Sequence, residues 1–156
     1  MVVFPNGKIN LGLNVIRKRT DGYHDLETVF YPTQLKDVLE IIQGDALEFT
    51  TSGLPVAGDA NDNLCLKAYH LLKRDYPGLP TVKMHLHKVL PMGAGLGGGS
   101  ADGAFTLNLL NQKFNLELAE QQLLSYALQL GSDCPFFFLN KPCFACGRGE
   151  RLQPMT

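Results

Sequence analysis

Between Gly93 and Gly99 the chain places five glycines in seven positions, in the run Pro91-Met92-Gly93-Ala94-Gly95-Leu96-Gly97-Gly98-Gly99-Ser100-Ala101. Each glycine loses much backbone freedom on folding, so such a loop is costly to order and poor at packing. A chain keeps it where backbone must approach a ligand closely or adopt positive φ. The flanks give this loop its meaning. Upstream, Val82, Met84 and Leu86 alternate with Lys83, His85 and His87, which predicts a half-buried strand over 81–89. Downstream, Ser100 is expected at a helix N-cap, with Asp102 in the first turn where a negative side chain suits the helix dipole. Strand, glycine loop and capped helix form a cradle of N–H groups suited to a polyphosphate.

Several phosphate loops share these features. The P-loop pattern ends in Gly-Lys-Ser/Thr, and no lysine follows these glycines. Gly93-Ala94-Gly95-Leu96-Gly97-Gly98 satisfies G-x-G-x-x-G, but so dense a run satisfies many patterns. The full run from Pro91 to Ala101 instead closely resembles the ATP-binding motif of the GHMP kinases, with Gly98 and Gly99 where the general pattern carries serines.

Three further segments extend the resemblance, toward the branch of that family acting on a cytidine-diphosphate-linked methylerythritol. Lys8-Ile9-Asn10-Leu11-Gly12-Leu13-Asn14-Val15 alternates cleanly, so Ile9, Leu11, Leu13 and Val15 are expected to face a core, with Lys8 and Asn10 together on the other face. Arg19-Thr20-Asp21-Gly22-Tyr23-His24 reads as a charged hairpin turn presenting an aromatic beside an imidazole. Gly131-Ser132-Asp133-Cys134-Pro135-Phe136-Phe137-Phe138 resembles a family segment in which valine is usual where Cys134 stands. A shorter match, Asn63-Leu64-Cys65-Leu66-Lys67-Ala68, opens a helix.

On the residues alone, Asp133 is as readily a loop aspartate as a catalytic one, and the Lys8–Asn10 face reads better as a plain solvated one. The resemblance assigns Lys8 and Asp133 as the catalytic pair, and implies transfer of the γ-phosphoryl of ATP, with Mg²⁺, to the 2-hydroxyl of the small-molecule substrate. A carboxylate near the acceptor hydroxyl can take its proton while a lysine offsets charge on the moving group. Residues Pro91, Met92, Gly93, Ala94, Gly95, Leu96, Gly97, Gly98, Gly99, Ser100 and Ala101 would hold the triphosphate, with Ser100 touching phosphate or Mg²⁺. Asn63 and Lys67 would lie near the adenine. Asn10 would contact the substrate, and Tyr23 and His24 its cytosine, by stacking and by reading the polar edge. The reading leaves two alternatives open: another small-molecule GHMP kinase of mevalonate or homoserine type, and a non-catalytic binding module of the same fold.

The expected strands lie near 8–16, 26–34, 37–43, 46–51, 81–89, 134–139 and 143–147. Helices are expected over 62–75, 100–112 and 117–130, the last capped near Asn115 and closed by a left-handed Gly131. With no regular βαβ repeat, this order predicts an α+β fold. The resemblance makes residues 1–156 the N-terminal ATP-binding domain of the GHMP fold, like domain 2 of ribosomal protein S5. The loop from Gly53 to Asn61 reads as a connection, not a domain boundary.

Family members continue into a C-terminal domain that completes the substrate site. We therefore expect little turnover by this chain alone, and self-association through an uncovered Phe136-Phe137-Phe138 strand. A net charge of −1 gives no reason to expect a nucleic-acid or membrane surface, and with no signal-like start a cytoplasmic location is expected. Cys143 and Cys146 have metal-ligand spacing without a second pair, Cys65 and Cys134 read as small core residues, and His85 and His87 read as an exposed strand face; no metal site is expected.

Overall fold

The computed structural model describes residues 1–56, 58–59 and 62–155. Ala57, Ala60 and Asn61, within the expected connection, and Thr156 lie outside the described residues. In chain order the elements are β1 (Val2–Val3), β2 (Asn6–Lys18), β3 (His24–Lys36), β4 (Val38–Gln43), β5 (Glu48–Gly53), α1 (Leu64–Asp75), β6 (Val82–Lys88), α2 (Gly98–Lys113), α3 (Glu120–Leu130), α4 (Phe136–Leu139), β7 (Cys143–Gly147) and β8 (Arg151–Pro154). They form two four-stranded sheets, ordered β1-β4-β6-β5 and β2-β3-β7-β8. All pairings are antiparallel except β5 with β6. The fold is α+β, as expected.

Local sequence explains most of these elements. In α1, Cys65, Leu66, Ala68, Tyr69 and Leu72 are buried at helical spacing, the Asn63 side chain accepts the Cys65 N–H, and Lys73 and Arg74 meet the negative end of the dipole. In β6 the inward residues are Val82, Met84 and Leu86, as the alternation predicts. Helix α2 packs against both α1 and α3 and is buried on several sides, through Ala101, Ala104, Leu107, Leu109 and Leu110. Each fully buried leucine here contributes about 1.5–3 kcal/mol of transfer free energy.

Several expectations are corrected. The 134–139 segment is not a strand: residues 136–139 form the single-turn helix α4, and the Asn140 N–H closes onto the Phe136 carbonyl. Pro135 has αR backbone and no N–H to give a sheet, and a short apolar run carries no period that separates strand from helix. Phe136 and Phe137 are core residues, 0% and 5% exposed, and Phe136 meets Phe30 edge-on at 5.3 Å. The aromatic run is therefore not the uncovered surface expected.

The uncovered apolar surface is instead on β2. Ile9, Leu11, Leu13 and Val15 are exposed, while Lys8 on the opposite face is buried. Lys8 goes inside because Phe30 and Asp133 receive it there, and register irregularities at Leu11/Leu13 and Val15/Arg17 break the simple alternation. Ser100 is not the N-cap of α2, which begins at Gly98 behind Gly97, so Asp102 falls in the second turn, buried and ion-paired. Helix α3 opens behind Ala119, whose N–H donates to the Gln122 side chain, while Asn115 has left-handed backbone ahead of it. Gly131 closes that helix in an extended conformation (φ 171). Strands β1 and β8 had no clear sequence signal.

Candidate active site

The glycine loop leaves β6 and enters α2 with positive φ at Gly93, Gly95 and Gly97. Gly97, at φ 65, is the N-cap of α2, and no side chain caps the helix there. The first N–H groups of α2 consequently point into the cradle with the positive end of the dipole behind them. Gly97 also allows close approach: a Cβ there would sit 3.1 Å from the Phe137 ring and 3.2 Å from the Lys8 side chain. We expect Gly97→Val to cost about 1–3 kcal/mol by backbone strain alone and to push Lys8 aside. Urea unfolding together with nucleotide-analogue binding checks both effects.

Lys8 lies beneath this turn. Its backbone N–H donates to the Leu96 carbonyl at 2.8 Å, fastening β2 to the loop. Its ammonium donates to Asn10 Oδ1 at 2.6 Å, stands 3.2 Å from Asp133 Oδ2 and lies 4.6 Å from the centre of the Phe30 ring. The Lys8 side chain is 6% exposed and that of Asp133 33%, so the pair is screened on one side and open on the other. Lys8, Asn10, Asp133 and the N-terminus of α2 thus converge, although they come from opposite ends of the chain.

On the other side of the loop a cavity of about 470 Å³ opens between the glycine run, β5 and the start of α1. Phe49, Leu64, Leu86 and Met92 give it apolar walls, and Asn63 stands at its edge. Lys67 does not line it: this exposed side chain pairs with Asp62 at 2.8 Å. Tyr23 and His24 are exposed at the tip of the β2–β3 hairpin, outside the cavity. The hairpin is held by Arg19, which pairs with Asp21 and Asp25, and by Arg17 on Asp25. These arginines hold both carboxyls below their usual range. Arg148, from the turn between β7 and β8, stacks on the Tyr23 ring at 4.6 Å. At the next residue, Gly149, a Cβ would sit 3.3 Å from the Phe30 ring and 3.6 Å from Asp133 Oδ1, so the same turn runs from the hairpin tip to the neighbourhood of the lysine–carboxylate pair.

Sequence reasoning missed a buried ion triad at the cavity floor. Lys88 Nζ donates to Asp37 Oδ2 at 2.5 Å and to Asp102 Oδ2 at 2.6 Å, with the three side chains at most 3% exposed. Asp37 Oδ1 also accepts the N–H groups of Val89 and Leu90, fixing the strand end where the glycine loop begins. Asp102 Oδ1 is buried without a partner. One signal could have found it: Lys88 shares strand parity with buried Val82, Met84 and Leu86.

Burial pushes the Asp102 carboxyl up to about 7, with Asp37 acting the same way and Lys88 opposing. Burial alone would lower Lys88, but its bonds to Asp102 and Asp37 outweigh that and raise it. The folded state holds the Asp102 proton more tightly than the unfolded chain, so the contribution of this group to stability falls as pH rises from about 4 to about 7 and then levels. In Asp102→Asn this decline should disappear, which urea midpoints at about pH 5 and about pH 7.5 would show.

Among the described residues no group of three or more His, Cys, Asp or Glu is placed to hold a metal ion. No helix is long and apolar enough to cross a membrane.

The structure is thus an α+β domain in which a glycine-rich loop and a helix N-terminus stand over a lysine–carboxylate pair. The chain belongs to the GHMP kinases: the family described as "GHMP kinases N terminal domain" matches residues 63–141. It is 55% identical over 159 residues to a 4-diphosphocytidyl-2-C-methyl-D-erythritol kinase of Bacteroides fragilis, covering 99% of this chain and 58% of that protein. A protein of the same name from Azobacteroides pseudotrichonymphae is 53% identical over 155 residues, again covering 99% of this chain and 58% of the relative. Among solved structures, a 4-(cytidine 5'-diphospho)-2C-methyl-D-erythritol kinase superposes with a TM-score of 0.84 at 36% identity, over 99% of this chain and 55% of that one. The chain thus spans somewhat more than half the length of the relatives it matches.

Proposed function

We propose that residues 1–156 are the N-terminal, ATP-binding domain of a kinase that phosphorylates the 2-hydroxyl of 4-diphosphocytidyl-2-C-methyl-D-erythritol, a step toward isoprenoid precursors. The observation that carries this reading is Lys8 held 3.2 Å from Asp133 beneath the N-terminus of α2. The cavity behind the loop takes the adenosine, with Asn63 at its edge. The cradle from Pro91 to Ala101 takes the phosphates.

Asp133 orients the acceptor hydroxyl and removes its proton as the new O–P bond forms and the bond to the departing ADP breaks. Lys8, aligned by Asn10 and unable to retreat past Phe30, offsets charge on the transferring group. Tyr23 and His24 receive the cytosine. Arg148 covers one Tyr23 face, so the base stacks on the other. Mg²⁺ fits this donor set as an ion carried mainly by phosphate oxygens and water, since no acidic cage exists among the described residues. The Ser100 hydroxyl would hold it at the mouth of the cradle, where it would neutralise phosphate charge.

The matched relatives extend well beyond the region aligned here, which supports the expectation of little turnover by these residues alone. The test is an ADP-release assay on the full protein that carries this chain, with the cytidyl substrate, mevalonate and homoserine as acceptors. Turnover with the cytidyl substrate alone is the expected result; turnover with either of the others moves the chain to another branch of the family. Tyr23→Ala should raise KM for the cytidyl substrate and leave KM for ATP unchanged, and an unchanged acceptor KM would remove the hairpin from the site.

A further inference from the structure

Strands β5 and β6 have two faces, and only one lines the cavity. On the other, parallel pairing sets Thr50 beside His85 and Ser52 beside His87. Ser52 Oγ lies 2.9 Å from His85 Nε2 and 2.9 Å from His87 Nδ1, so ring nitrogens of two histidines converge on one oxygen. Thr50 Oγ1 lies 2.8 Å from His85 Nδ1 and 3.5 Å from the Met84 carbonyl oxygen. In the tautomer in which Thr50 accepts Nδ1–H from His85, the lone pair of His85 lies on Nε2, facing Ser52. Fixing the tautomer through the second ring nitrogen is how metal-binding histidines are usually oriented.

Ser52 has one hydroxyl proton to offer two ring nitrogens. A cation between them would satisfy both lone pairs at once, once His87 carries its proton on Nε2 toward solvent. Glu40, paired with His85 across β4 and β6, adds a carboxylate on the same sheet face, while Glu48 is engaged by Lys83 at 2.6 Å. The two histidines sit two residues apart on a regular strand, so neither needs a backbone change to turn toward a shared ion.

We propose that His85 and His87 form a binding site for a late first-row divalent cation of the Zn²⁺ type, with Ser52 and water completing the coordination. Imidazole selects such ions over Mg²⁺. Bound there, the ion would clip β5, the edge strand that carries Phe49 and Thr51 into the cavity, onto β6.

Calorimetric titration of the chain with ZnCl₂, and separately with MgCl₂, tests the site. One Zn²⁺ per chain and no comparable Mg²⁺ uptake are expected. His85→Gln and His87→Gln should each weaken Zn²⁺ binding by about tenfold or more, while His70→Gln and Cys146→Ser, which alter ligands elsewhere, should leave it unchanged. Thermal unfolding gives an independent reading: Zn²⁺ should raise the midpoint of the parent chain and not that of His87→Gln. Absence of Zn²⁺ uptake, full uptake in either histidine variant, or loss of uptake in Cys146→Ser would each overturn the proposal.

Discussion

Replacing Lys88 with methionine is expected to remove about 3–5 kcal/mol of stability, the cost of leaving buried charge uncompensated. The variant keeps the length and much of the apolar volume of the side chain, so cavity formation is a small part of the effect. What it loses is the ammonium between Asp37 and Asp102, both at or near 0–3% side-chain exposure. Asp37 cannot turn away, because its other oxygen holds the N–H groups of Val89 and Leu90. For a domain of this size, typically stable by about 5–15 kcal/mol, such a loss brings the chain close to unfolding. Urea denaturation followed by circular dichroism measures it. Asp102→Asn should cost much less, since Lys88 keeps Asp37. A Lys88→Met midpoint equal to that of the parent chain would mean that the triad is not a net contributor.

The second large effect concerns chemistry. Asp133→Asn is expected to lower kcat of the full protein by about 10²–10⁴-fold, the usual worth of a positioned proton acceptor, with KM for ATP little changed. Asparagine retains the shape and a hydrogen-bonding oxygen for Lys8, so folding should be preserved; it cannot take up the hydroxyl proton. Comparing urea midpoints with steady-state kinetics separates the two. A variant of normal stability and undiminished kcat would leave Asp133 as a structural partner of Lys8 only.

The pH behaviour of the triad and the catalytic role of Asp133 are separable in the same way. Asp102 lies at the cavity floor, on the far side of the glycine loop from Asp133. Its protonation should therefore move stability without setting the acid limb of turnover.

Legibility in the sequence differed by element. The glycine loop, α1, β6 and α2 were readable because each carries its own short-range signal: a dense glycine run, helical spacing behind an Asn cap, or strict alternation. The Lys8–Asp133 pairing was assigned from a family resemblance; the structure holds the two side chains 3.2 Å apart. The 134–139 segment was misread because three consecutive phenylalanines have no period. Pro135, αR at the helix start, was the residue that should have weighed against a strand.

The sequence by itself determined the cradle. Five glycines before a helix admit few other structures, and alternation alone placed Met84 and Leu86 inside. Only the tertiary structure decided which face of β2 is interior. Alternation says that Ile9 and Lys8 face opposite ways, not which of them has partners. Burial of Lys8 depends on Asn10 on its own strand β2, Phe30 from β3 and Asp133 from the turn before α4. The same holds for Asp37, Lys88 and Asp102, whose charges are tolerable inside only because they meet there. Local patterns follow from the geometry of a few neighbouring residues, whereas a buried charge is stabilised by groups distant in the chain.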